Sequence, residues 1–312
     1  MRRLAALALA LLAGACMKMR IDEATVFDPV AFDSRLAQES GQVMQGEVAF
    51  RSEGDWSGVW RSHAANYEFP KTPAPYVAAT VEHGRSASDD GGLAWTTITH
   101  AAPSNTLIVR CGGNASTRQH SGYHYAMSTV PYGDVLMFDY PGYGETGGKA
   151  TPQRFQTMSD ELAPLVREKA ADRRIVLWGH SLGGMVCSEL AARVPETSAV
   201  IIETSARNAR EVAQAWTPWY AALFVNIEIA PGFGDVDVAD ALKGFKGPVL
   251  VLGAENDQTL PVQLARSVGK SLKDEGVDAI YTEFKGGGHS NLIMHPEFAP
   301  TIKAFFAKVT GL

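Results

Sequence analysis

Apolar residues fall into two regimes along this 312-residue chain. From residue 17 to 74 their periodicity is weak, and Pro70, Pro73 and Pro75 close that stretch as a rigid boundary. Residues 77–81 and 93–99 alternate in the manner of half-buried strands, with the hairpin signal Asp89-Asp90-Gly91-Gly92 between them. The pattern then switches. Short apolar runs at 106–109, 134–138, 175–178, 199–202, 248–252 and 279–284 alternate with helical stretches, among them 185–193, 209–216 and 297–309. Strands that are apolar on both faces and separated by helices predict an α/β fold: a mostly parallel sheet covered on both sides.

One junction in this pattern carries chemistry. The run Arg174-Ile175-Val176-Leu177-Trp178 leads directly into Gly179-His180-Ser181-Leu182-Gly183 and then a helix. Strand, G-x-S-x-G and helix in that order describe a turn that lifts a serine hydroxyl above the sheet edge. Gly179 and Gly183 give the turn room, and Gly184 lets the helix approach the sheet. The backbone N–H of Leu182 then faces the same point as the hydroxyl. Ser181 is the candidate nucleophile, and His180 fills the variable place of the turn.

A serine hydroxyl needs a base to take its proton, and the base needs an acceptor to orient it. Both are sought after Ser181, on loops that follow later strands. The strand at 248–252 runs into Glu255-Asn256-Asp257, where Asp257 is the candidate acid and Glu255 and Glu203 are fallbacks. The last strand runs into Lys285-Gly286-Gly287-Gly288-His289, whose glycines free the loop to bend inward, so His289 is the candidate base. His295, just before Pro296, reads as a capping or surface residue. For the developing oxyanion the candidate donors are the backbone N–H groups of Leu182 and of Asn114, in the loop Gly112-Gly113-Asn114. Such a set requires no cofactor. No C-x-x-C or zinc spacing occurs, and His120 and His124, four residues apart, lack a third ligand and read as a polar helix face. Asp139 reads as the organiser of the turn after its strand.

Composition narrows the partners. A net charge of −6 without a basic stripe argues against nucleic acid. At the N-terminus, Arg2 and Arg3 precede an apolar run (residues 4–12) and the small residues Ala13-Gly14-Ala15. This is the pattern of a signal peptide, residues 1–15, too short to persist as a membrane span. Ala13-Gly14-Ala15-Cys16 resembles a bacterial lipobox. That resemblance implies lipidation of Cys16 and an extracytoplasmic lipoprotein held on the membrane; cleavage after Ala15 without lipidation implies a secreted protein instead. The chain has three cysteines. Cys111 and Cys187 are expected to be buried, and nothing in the sequence pairs them.

Residues 138–147 (FDYPGYGETG), Gly113-Asn114-Ala115, Gly179-His180-Ser181-Leu182-Gly183-Gly184 and Glu255-Asn256-Asp257 occur in one order. Together they resemble the bud-emergence-protein-like branch of the α/β-hydrolase superfamily, whose relatives include depalmitoylases and lysophospholipase-like enzymes. Gly112 stands where that group usually has histidine. The resemblance implies an α/β-hydrolase domain over 76–312 with a short cap at about 206–242, preceded by an N-terminal extension, 16–75. In the cap, Trp216, Trp219, Tyr220 and Phe224 either cover the sheet edge or line an acyl pocket. The expected activity is that of a serine hydrolase acting on esters or thioesters of small-molecule, lipid or acylated substrates. A peptidase or amidase acting at peptide ends, and a binding lipoprotein that has lost the chemistry, are the alternatives.

Overall fold

The computed structural model describes residues 17–27, 46–50, 77–88, 92–100, 104–221, 224–234 and 236–311. The signal-peptide segment, Cys16, the proline boundary and most of the hairpin loop lie outside them.

A nine-stranded sheet forms the centre. In chain order its strands are β2 (Gly46–Phe50), β3 (Val77–Arg85), β4 (Ala94–His100), β5 (Thr106–Cys111), β6 (Asp134–Phe138), β7 (Arg174–His180), β8 (Thr197–Glu203), β10 (Val249–Ala254) and β11 (Ala279–Phe284). In space they run β11-β10-β8-β7-β5-β6-β4-β3-β2. The six strands from β11 to β6 are parallel, and β4, β3 and β2 extend the edge antiparallel. The predicted parallel block is observed: the strands at 134–138 and 279–284 keep the expected bounds, those at 106–111, 174–180 and 197–203 run one or two residues further, and the one at 249–254 starts a residue later and ends two later.

The apolar runs divide by parity because successive strand residues face opposite sides. Leu107, Val109, Ile175 and Leu177 face one core, with Met158, Leu162 and Val166 of helix α3 (Pro152–Ala170) and Leu190 of α4 (Leu182–Arg193). Ile108, Val176, Trp178 and Leu250 face the other, against Phe298, Ile302, Phe305 and Phe306 of the C-terminal helix α8 (Phe298–Thr310). Burying side chains of this kind stabilises the fold by about 1.5–3 kcal/mol each. Sheet and helices thus pack into one platform with a buried core on each face.

The weakly periodic N-terminal region contains more structure than its pattern predicts. β1 (Met17–Ile21) and the short helix α1 (Glu23–Val26) stand apart from the main sheet, and β2 closes its antiparallel edge. β1 pairs in parallel with β9 (Val225–Ile229), a strand inside the predicted cap. Each strand depends on a partner about 200 residues away, so local periodicity carries no trace of the pair. The rest of the cap comprises α5 (Ala209–Trp216) and α6 (Val238–Ala241). Between β10 and β11 lies α7 (Gln263–Asp274), and α2 (Arg118–Thr129) follows β5.

Candidate active site

Parallel strands present their carboxyl ends at one edge, and the site lies there. In register, Cys111 of β5 stands opposite Gly179 of β7, and His180 opposite Glu203 of β8. Ser181 follows β7 at once, with φ 54° and ψ −121°, a left-handed conformation that non-glycine residues rarely adopt. Its neighbours hold it there. The Ser181 N–H donates to the Glu203 carbonyl (2.9 Å), and its own carbonyl accepts from Ser205 Oγ (2.7 Å) and the Gly184 N–H (3.0 Å). A Cβ on Gly179 would strike the Gly183 backbone, and one on Gly183 would strike the Cys111 carbonyl. The turn fits glycine alone at both places.

Ser181, His289 and Asp257 meet. His289 Nε2 is 3.0 Å from Ser181 Oγ, and His289 Nδ1 is 2.7 Å from Asp257 Oδ2. An ionised carboxylate only accepts, so Nδ1 carries the imidazole proton and Nε2 offers its lone pair to the serine hydroxyl. The other carboxylate oxygen of Asp257 accepts from the N–H groups of Thr259 (2.9 Å) and Leu260 (2.7 Å), which fixes the acid in its loop. The fallback acids have other partners. Glu203 accepts from Trp178 Nε1 (2.8 Å) and pairs with buried Arg110 (3.6 Å), while Glu255 braces the Gly286 N–H (2.9 Å). His295 receives the Glu297 N–H and bonds the Lys285 carbonyl, away from Ser181.

The loop of the second candidate oxyanion donor presses on the same turn. A Cβ on Gly113 would lie 2.8 Å from His180 Nδ1 and 3.4 Å from Ser181 Cβ, and one on Gly112 would lie 2.9 Å from Ser116 Cβ. The larger residue usual in the resembled group at position 112 has no room in this loop. The Asn114 side chain is turned elsewhere: Nδ2 donates to the Val26 carbonyl (2.8 Å), and Oδ1 accepts from Tyr143 (2.7 Å). Any donation from Asn114 to a substrate therefore falls to its backbone. Buried Cys111 and Cys187 form a disulfide, with Cα atoms 6.0 Å apart, joining the strand that feeds this loop to the helix that begins at Leu182. The sequence predicts burial alone; the bond links positions 76 residues apart that become neighbours only in the fold.

His180 carries more than the variable place of the turn implies. Its Nε2 bonds the His289 carbonyl (2.9 Å), which also accepts from Thr204 Oγ1 (3.0 Å). The carbonyl accepts, so Nε2 is the protonated nitrogen, and Nδ1 faces the Tyr125 hydroxyl at 3.4 Å. That hydroxyl accepts the Gly113 N–H (3.0 Å). One buried ring thus bridges the histidine loop and the Gly112–Asn114 loop. Its pKa is lowered to about 4, foremost by burial, which together with nearby His289 and Arg110 outweighs the raising charge of Glu203. No local signal marks such a role, because its partners lie more than fifty residues away in both directions. Asp139 behaves as expected of a turn organiser: buried, it accepts the N–H groups of Arg118 (2.7 Å) and Glu145 (3.0 Å).

An apolar cavity of about 190 Å³ adjoins Ser181, with Leu182 and Asn114 on its wall. Phe155, Met185, Val212, Trp216, Phe233 and Leu260 line it from the domain and cap. Ile21, Val26 and Phe27 complete it from the N-terminal segment, Phe27 stacking on Phe155 at 4.3 Å. The cap aromatics divide: Trp216 lines the cavity, whereas Trp219, Tyr220 and Phe224 neither line it nor cover the sheet. Among the described residues no cluster of His, Cys, Asp and Glu is arranged to hold a metal, and the side chains of His120 and His124 lie outside them.

A mostly parallel sheet, a serine at a strained strand–helix turn, and later loops bringing histidine and aspartate to it define the α/β-hydrolase fold. A family model described as the alpha/beta hydrolase fold matches residues 133–235. The chain is 26% identical over 229 residues to the lysophosphatidylserine lipase ABHD12 of Macaca fascicularis, covering 66% of this chain and 57% of that protein. It thus spans little more than half the length of the curated relative. Among solved structures, the esterase Pf2001 of Pyrococcus furiosus superposes with a TM-score of 0.56 at 16% identity, covering 74% of this chain and 90% of the esterase. A puromycin-hydrolyzing peptidase of Mycobacterium tuberculosis gives 0.58 at 16% identity, over 76% of this chain and 40% of the peptidase. Together these findings support the α/β-hydrolase superfamily.

Proposed function

We propose that the chain is a serine hydrolase that cleaves carboxylic esters or thioesters through an acyl-enzyme. The hydrogen-bonded series Asp257–His289–Ser181, whose serine lines an apolar cavity, carries this reading. His289 Nε2 takes the Ser181 proton as Oγ bonds to the substrate carbonyl carbon, and the N–H groups of Leu182 and Asn114 receive the oxyanion. The imidazolium returns that proton to the leaving oxygen or sulfur as its bond to carbon breaks. Water then repeats the sequence: His289 takes its proton, hydroxide oxygen bonds to the acyl carbon, and Ser181 leaves protonated.

The apolar lining favours an acyl chain over a charged peptide end. Similarity to a lysophosphatidylserine lipase supports lysolipids among the ester substrates, and the segment 138–147 supports the bud-emergence-protein-like branch. A signal peptide and a lipidated Cys16 belong to the same proposal, which makes the protein an extracytoplasmic lipoprotein. The Cys111–Cys187 disulfide supports an oxidising compartment. A fluorophosphonate probe should label Ser181, and p-nitrophenyl esters should turn over faster than aminoacyl-anilides. An unlabelled Ser181 overturns the serine mechanism, and the reverse substrate preference overturns the ester reading.

A further inference from the structure

Among the described residues four large apolar side chains are exposed, and all four come from one stretch, 216–224. Trp219 is 87% exposed, Tyr220 62%, and Trp216 and Phe224 45% each. Monomeric proteins scatter such residues singly; clustering marks a surface that meets something apolar. Trp219 and Tyr220 stand edge to face, their ring centroids 5.9 Å apart. Trp and Tyr have an apolar body and a polar edge, the combination that settles at the boundary between acyl chains and lipid headgroups.

Two further features say what this surface meets. The first is continuity with the cavity. Trp216 belongs to both, its indole N–H fixed on the Thr259 carbonyl (2.9 Å) while its ring lines the space beside Ser181. The second is where the chain outside the described residues joins the fold. β1 and β9 run parallel with Met17 opposite Val225, so β1 starts beside Phe224, at the aromatic end of the pair. The sixteen residues before Met17 carry the lipobox-like sequence ending in Cys16. An acyl anchor on that cysteine would therefore enter the bilayer next to the aromatic rings. A second protein copy explains the exposed rings but neither of these two coincidences.

We infer that Trp219, Tyr220 and Phe224 form a docking surface for a lipid bilayer, which presents the cavity mouth at Trp216 to membrane-borne acyl chains. The surface stands independently of the hydrolase reading; the loading of the cavity rests on that reading, and the placement of the anchor rests on the proposed lipidation of Cys16. Among the described residues no helix is long and apolar enough to cross a membrane.

The test uses the full chain carrying Cys16→Ser, so that no lipid anchor contributes, and vesicles of equimolar phosphatidylcholine and phosphatidylglycerol. The protein should sediment with the vesicles, and Trp219→Ser with Tyr220→Ser should lower the bound fraction about tenfold or more. Hydrolysis of soluble p-nitrophenyl butyrate should be unchanged by the pair, whereas hydrolysis of a lysolipid held in the same vesicles should fall with binding. Equal vesicle binding by parent and variant overturns the inference. So does a parent that stays off vesicles and forms a dimer that the two substitutions dissociate, which assigns the surface to a second copy. If the parent turns over neither ester but loses vesicle binding with the substitutions, the hydrolase reading falls and the docking surface stands.

Discussion

The cavity beside Ser181 has two walls built on different principles. On one side stand the ends of β5, β7, β8 and β10, where each polar group with a proposed role is held by at least one further bond. Ser181 is tied through its backbone to Glu203 and Ser205, Asp257 to Thr259 and Leu260, and the His289 carbonyl to His180 and Thr204. On the other side stand β1, α1 and α5, short elements outside the main sheet, with Ile21, Val26 and Trp216, and Phe27 just after α1. The first wall is polar, strained and braced; the second is apolar and assembled from distant pieces of chain. Chemistry needs atoms held within a fraction of an ångström, whereas an acyl chain needs only a dry surface of the right shape. Under the proposed function, the contrast places reaction at the sheet edge and selection in the added segments.

Substitutions should therefore separate the walls. The largest effect is expected at the braced one: Ser181→Ala should lower kcat for p-nitrophenyl esters by several orders of magnitude and leave Tm nearly unchanged. Adding His289→Ala should cost little more, because such residues act as a unit. Losses that multiply in the double variant would show that the pair does not act together.

Next in size is the disulfide that fastens the segments carrying the two proposed oxyanion donors. Replacing Cys111 and Cys187 together by alanine should reduce unfolding free energy by up to about 4 kcal/mol, as measured by urea midpoint. An unchanged midpoint would remove the disulfide from the bracing of this wall.

His180 gives the wall a pH signature. The ring is held neutral with a pKa of about 4 in the fold, by burial foremost, whereas unfolded histidine titrates near 6.5. Between those values the unfolded chain binds the extra proton, so stability falls as pH drops from 6.5 to 4 and levels off below. The contribution is on the order of 3 kcal/mol. Glu203, Arg110, His289 and Tyr125 surround the ring. His180→Gln should flatten part of that slope in urea melts at pH 7 and pH 5. It should also lower kcat more than it raises KM, through the loosened His289 carbonyl. An unaltered slope together with an unaltered kcat would reduce His180 to a filler.

The smallest effect is expected on the apolar wall. Phe27→Ala opens space beside Phe155 and Phe233, and should lower kcat/KM for long-chain p-nitrophenyl esters about tenfold while sparing the acetate. Equal losses for both esters would break the division of labour, because a wall that only selects cannot affect an acyl group too short to reach it.

The parallel sheet and the candidates Ser181 and His289 at its edge were legible in the sequence, as was Asp257 with Glu255 and Glu203 open beside it until the fold gave those two other partners. Six apolar runs of strand length fix the strands, and G-x-S-x-G needs only its immediate neighbours to form the turn. Asp257 and His289 are legible because each directly follows a strand whose end must lie at the same edge. What the tertiary structure alone decided depends on contacts between residues far apart in the chain. Cys111 meets Cys187 because β5 and the helix after Ser181 lie side by side. His180 becomes a clamp because the His289 carbonyl arrives from over a hundred residues away. β1 exists as a strand because β9 offers its edge, and Phe27 and Trp216 share one cavity only after that pairing forms. Local periodicity encodes which face of an element is buried; it does not encode which distant element buries it.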